Sequence, residues 1–128
     1  MGLKEKLHVM VVDDMSTSRG LIVNALEELG VSHVDYAADG NDAFKKLASK
    51  PVHLVISDYN MPGANGLQLL ASLRKFKTTQ KIGFILITGT ADPAVITQGN
   101  QLGMNNYLKK PFTTQGMKSC IERVVGPL

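Results

Sequence analysis

Apolar residues in this chain gather into five short runs, separated by stretches whose hydrophobic spacing is helical. The first run, 8–12, reads His8-Val9-Met10-Val11-Val12: too short for a helix, and apolar enough to be covered on both faces of a sheet. Further runs occupy 34–37, 54–57, 82–87 and 106–109; the fourth is the most apolar and the second the weakest. Between them the period changes. Leu21, Ile22, Ala25, Leu26 and Leu29 share a helical face behind an N-cap at Ser16 or Thr17, and Gly30 suits the position just past the end. Asp39-Gly40 opens a second helix with Ala43, Phe44, Leu47 and Ala48 on one side, stopped by Pro51. A third runs from Gly66 to about 76 with Leu69, Leu70, Leu73 and Phe76 inward. Asp92-Pro93 is an N-cap followed by proline at the first helical position. The helix it opens is the weakest, with Val95, Ile96 and Leu102 as its main apolar residues and Gly99 in its middle. Thr113 or Thr114 caps a last helix that turns Met117, Ile121 and Val124 to the core.

Five strand–helix repeats predict an α/β fold of (βα)5 type: a doubly wound parallel sheet covered on both faces, in one domain over 1–128. The composition agrees, with 44% hydrophobic and 20% charged residues. A chain of this size buries roughly two-thirds of its unfolded surface. The net charge of +3, with no extended Lys/Arg stripe, argues against a nucleic-acid partner. No apolar run approaches the roughly 18 residues that a membrane span needs, and 1–6 lacks a signal-peptide pattern. Cys120 is the single cysteine, which excludes an internal disulfide or a multi-thiolate metal site and fits a reducing, cytoplasmic setting.

The chemistry sits where the runs end. Run one ends in Asp13-Asp14, run three in Asp58, run four in Thr88, and run five leads into Lys110-Pro111. In parallel α/β sheets, ligands bind outside the carboxyl ends of the strands, so these residues are predicted to converge. Crowded carboxylates repel one another unless a cation joins them. An oxygen set of this kind suits Mg²⁺, which takes one or two carboxylates and keeps waters or phosphate oxygens. An aspartate beside Mg²⁺, an amine and a hydroxyl can accept a phosphoryl group as an aspartyl phosphate. Taken singly, the acidic pair reads equally well as a helix-entry feature, and Lys110 as a surface lysine. His8, His33 and His53 lie at strand starts or in loops, away from this edge, and are read as structural.

Val-Val-Asp13-Asp14, Asp58-Tyr-Asn-Met-Pro62-Gly, Thr88 closing the fourth run and Tyr107-Leu-Lys-Lys110-Pro111-Phe112 together resemble the response-regulator receiver family, over essentially the whole chain. Within it they resemble the stand-alone chemotaxis regulators. The resemblance implies a flavodoxin-like sheet of order 2-1-3-4-5. It implies Asp58 as phosphoacceptor, with Mg²⁺ held by Asp14, Asp58 and the backbone carbonyl of Asn60, and Asp13 assisting through water. Lys110 corresponds to the phosphate-contacting lysine, and Thr88 with Tyr107 to a switch pair. Gly89 loosens the fourth loop, while Thr90 and Asn60 stand where receivers vary and phosphoryl lifetime is set. The implied molecule is a cytoplasmic monomer and not an enzyme acting on others. It self-phosphorylates from small donors, dephosphorylates itself, takes its phosphate from a chemotaxis-type histidine kinase and acts on the flagellar motor switch.

A phosphorelay intermediate or a phosphate sink would use the same residues. A flavodoxin-like electron carrier shares the fold but needs a Ser/Thr/Gly phosphate loop after strand one, where Asp13-Asp14 would repel a flavin phosphate. An aspartyl phosphatase needs a second acid two residues after a strand-one nucleophile, and Met15 follows Asp14 instead.

Overall fold

A computed structural model describes residues 3–89 and 92–128. After a short turn of 3-10 helix at Leu3–Glu5, strands and helices alternate to the end of the chain. The strands are β1 (His8–Val12), β2 (His33–Ala37), β3 (Leu54–Asp58), β4 (Gly83–Thr88) and β5 (Asn106–Lys109). The helices are α1 (Ser16–Glu28), α2 (Gly40–Ser49), α3 (Gly66–Arg74), α4 (Pro93–Gln101) and α5 (Thr114–Val125). All pairings are parallel and the order is β2-β1-β3-β4-β5, as the resemblance implied.

Strand alternation divides the core in two. Met10, Val12, Val55, Phe84 and Leu86 point to one face, where Leu47 of α2, Leu69, Leu70 and Leu73 of α3 and Val95 of α4 cover them. Val9, Val11, Leu54, Ile56, Ile85 and Ile87 point to the other, against Ile22 and Leu26 of α1 and Met117 and Ile121 of α5. The chain leaves β1 for β2 on one side and reaches β3 on the other. The carboxyl ends of β1 and β3 therefore flank the crevice where the winding direction reverses.

Several details differ from the pattern-based expectation. The N-cap of α1 is Met15, one residue before Ser16, and no side chain caps it. Leu21 is 61% exposed, because the buried stripe of α1 runs through Ile22, Ala25 and Leu26 and leaves Leu21 at its margin. Ala48 is exposed on α2. Phe76 is 51% exposed, since α3 ends at Arg74. The Thr79 hydroxyl donates to the Leu73 carbonyl at 2.7 Å and turns the chain, leaving the Phe76 ring tilted against that of Phe44, with centres 5.4 Å apart. The caps Asp39, Asp92 and Thr113 accept backbone N–H bonds in the expected way. Thr90 lies outside the described residues.

Two glycines shape the chain beyond β3. Gly63 has φ +73, which suits the turn after Pro62. Gly66 starts α3 so close to β3 that an added Cβ would stand 2.6 Å from the Asp58 carbonyl oxygen and 2.7 Å from Leu86 Cδ1. Asn65 and Gln68 close a capping box on the same turn, with bonds of 2.7 and 2.9 Å. Gly66→Ala is expected to destabilise the protein by about 1–3 kcal/mol through overpacking, read as a lowered urea midpoint with unchanged slope.

Candidate functional site

The end of β1 supplies two different carboxylates. Asp13 extends the ladder, its N–H donating to the Ala37 carbonyl at 3.2 Å, and is fully buried. Its Oδ1 accepts from Met15 N at 3.0 Å, which turns the chain into α1, while the Arg19 guanidinium donates to its backbone carbonyl at 2.8 Å. Asp14 is exposed. Arg19 also lies over the Tyr36 ring, 4.7 Å from its centre, and Lys46 stands 6.0 Å from the same ring while donating to the Tyr36 carbonyl at 3.1 Å. These cations tie β1, β2, α1 and α2 together beside the acidic pair.

Asp58 closes β3 and is 6% exposed. The strand register sets it opposite Ile87, and Tyr59 N continues the ladder to the Ile87 carbonyl at 2.9 Å. One oxygen from each of Asp13, Asp14 and Asp58 lies within 4.8 Å of the others, the one such cluster of acids, histidines or cysteines among the described residues. Lys110, beyond β5, puts Nζ 2.9 Å from Asp58 Oδ1 and 3.1 Å from Ser18 Oγ. The Lys110-Pro111 peptide is cis. Thr88 is buried at the end of β4, and its carbonyl accepts from Lys110 N at 2.9 Å. The backbone thus joins the threonine to the lysine.

The other named residues lie further out. Asn60 is exposed in the turn after Asp58. Tyr107 is 40% exposed on β5, opposite Leu86 in register, so its ring points outward in this conformation. His8 and His33 stack with ring centres 4.4 Å apart, and His8 N donates to His53 Nδ1 at 3.0 Å. All three belong to the amino-terminal ends of β1, β2 and β3, opposite the carboxylates. Ser18 and Arg19 were not picked out from the sequence. An arginine six residues past an acid is a visible signal only once the turn between them is known; Ser18 meets Lys110 across 92 residues and gave none.

The donor set fits a hard cation. Three carboxylates share one cluster, and Asp13 Oδ2 is buried with no hydrogen-bond partner among the described residues. Such an atom is costly to leave unsatisfied. Oxygen-only ligands of this number match Mg²⁺. The Asp58 carboxyl is raised above the ordinary value of 3.8 by burial first; the hydrogen bond and charge of Lys110 oppose the rise, and Asp13 and Asp14 add to it.

A raised carboxyl makes ionisation unfavourable to folding. That cost is absent below the unfolded value near 3.8, grows as pH rises through the folded value, and is complete above it. In chelator at neutral pH, Asp58→Asn is expected to melt at a higher temperature than the unaltered chain. The gap should close as pH falls toward 3.8, followed by calorimetry.

Comparison with known proteins follows the same lines. Residues 9–122 match the model of the response regulator receiver domain. The probable chemotaxis protein CheY of Rhizobium etli is 44% identical over 128 residues, which cover 100% of this chain and 99% of that one. The structure of Vibrio cholerae chemotaxis protein CheY4 superposes with a TM-score of 0.86 at 27% identity, covering 92% of this chain and 98% of that one. The receiver domain of sensor histidine kinase PA1611 from Pseudomonas aeruginosa, solved with magnesium in its active-site cleft, shares the fold. Its TM-score is 0.85 at 24% identity, covering 94% of this chain and 98% of that one.

Proposed function

This chain belongs to the response-regulator receiver family, and from that premise we propose that it accepts a phosphoryl group on Asp58 and signals through its own surface. The observation that carries the reading is the pairing of Asp58 with Lys110 Nζ at 2.9 Å, inside a cluster of three carboxylates spanning 4.8 Å. An Asp58 oxygen attacks phosphorus, and a mixed anhydride forms. The P–N bond of a phosphohistidine donor, or the P–O bond of acetyl phosphate, breaks with its electron pair going to the leaving group. Asp13, Asp14, Asp58 and the Asn60 carbonyl are the residues to hold Mg²⁺, which when bound neutralises charge on the transferring oxygens. Lys110 meets those oxygens from the β5 side, where its ammonium already faces the acceptor.

The readout is local. A new dianion at the end of β3 offers the Thr88 hydroxyl an acceptor, and movement of Thr88 makes room for the Tyr107 ring to turn inward. Tyr107 lies on β5, and the face formed by α4, β5 and α5 becomes the output surface. The chemotaxis names of the relatives support a chemotaxis histidine kinase as donor and the flagellar motor switch as target.

With acetyl phosphate and Mg²⁺, the chain should take up one phosphoryl group, released by base or hydroxylamine and absent from Asp58→Asn; equal labelling of that variant would overturn the assignment. Tyr107→Ala should weaken binding of the phosphorylated chain to a motor-switch peptide by about tenfold, or about 1.4 kcal/mol. Fluorescence titration with and without phosphodonor checks this, and an unchanged affinity and phosphate dependence would remove Tyr107 from the switch.

A further inference from the structure

We infer that Ser18 is a positioning residue for phosphoryl acceptance: its hydroxyl, 3.1 Å from Lys110 Nζ, keeps the ammonium at the acceptor while the reaction moves the charge that holds it. The inference rests on Asp58 being the acceptor. Lysine carries its charge on a flexible four-carbon stem with many rotamers. In the unphosphorylated chain its anchor is Asp58 Oδ1, at 2.9 Å. Transfer changes that anchor. As an Asp58 oxygen bonds to phosphorus, the donor's bond to phosphorus breaks and its electrons leave with the donor, so the carboxylate's charge departs on the leaving group and the anion facing Lys110 becomes the phosphoryl group, which keeps its own charge.

The partner of Lys110 therefore moves during the step, and a second tether that does not react keeps the amine in place. Ser18 Oγ is neutral before and after. An ammonium has three donors. Two are engaged by Asp58 Oδ1 and Ser18 Oγ, which leaves a third for an incoming phosphoryl oxygen.

The surroundings show what the tether works against. Lys110 is 30% exposed and lines a groove of about 630 Å³, together with Ser18, Leu21, Asn24 and Phe112. Without the hydroxyl, the amine has room to swing into that groove and toward water. Ser18 itself is well fixed. It lies in the first turn of α1, whose Ile22, Ala25 and Leu26 are buried against the sheet. Its neighbour Arg19 bonds the Asp13 carbonyl at 2.8 Å, and at the far end Glu28 accepts from Thr114 Oγ1 at 2.8 Å. Alanine is a better helix former than serine, so Ser18→Ala removes the tether without weakening α1.

The test compares phosphorylation rates with acetyl phosphate at saturating Mg²⁺. Ser18→Ala should slow labelling about fivefold to tenfold, the net worth of one ordinary intramolecular hydrogen bond. Affinity for Mg²⁺, set by the carboxylates, should be unchanged. Ser18→Thr, which keeps the hydroxyl, should restore most of the rate. In a Lys110→Met background, Ser18→Ala should have no further effect, as a double-mutant cycle requires of two groups acting as a unit. Should Lys110→Met label too slowly to compare, the threonine rescue decides alone. Wild-type rates in Ser18→Ala, an equal loss in both backgrounds, or no rescue by threonine would overturn the tether while leaving Asp58 as acceptor. Absence of label from the unaltered chain would instead overturn the acceptor assignment, and the tether with it.

Discussion

Three carboxylates confined within 4.8 Å set the terms for the rest of this molecule. Such a cluster repels itself, and Asp13 and Asp58 pay further for burial. Only a well-packed scaffold holds it, and the scaffold is the parallel sheet. The two half-cores clamp β1 and β3 from both faces, so the positions of their last residues are fixed by apolar packing remote from any charge. The cluster in turn explains the cations beside it. Lys110 answers Asp58 directly, and Arg19 answers the polarity of the Asp13 backbone.

Much of this organisation was legible in the sequence. Strand runs such as 8–12 declare themselves by β-branched content and length, and the acids and the lysine declare themselves by standing where those runs stop. Parallel-sheet geometry then brings run ends together with no further information. The order of the strands was not legible from periodicity, because every order buries the same runs equally well; it came with the receiver resemblance. Side-chain reach was not legible either. Arg74 donates to the carbonyls of Ile82 and Gly103 at 2.8 and 2.9 Å, stitching the end of α3 to two later loops. Nothing in the apolar pattern marks the helix stop that leaves Phe76 outside. Leu21 illustrates a different limit: period counting finds a helical face but not its width, and a residue beside the buried stripe can line a groove instead.

Gly66 connects packing to the site in a less visible way. Its missing Cβ lets α3 start against the backbone of Asp58, so the carbonyl of that residue is braced from behind by a helix terminus. The turn between, with Pro62 and Gly63, must close over a fixed span, which limits where the Asn60 carbonyl can lie.

The cation contacts around Tyr36 separate the two margins of the sheet. Both edge strands carry an exposed tyrosine, 57% on β2 and 40% on β5. The first is riveted: Arg19 stacks over its ring, and Lys46 lies near it while pairing with Asp42 at 3.1 Å. Contacts of this exposed kind are worth about 0.5–1 kcal/mol each. Among the described residues no cation lies over Tyr107. The β2 margin is therefore pinned by cation contacts that the β5 margin lacks among the described residues. One edge tyrosine is a fastener and its counterpart stands open to solvent, which gives a nearly symmetric sheet two chemically unlike margins.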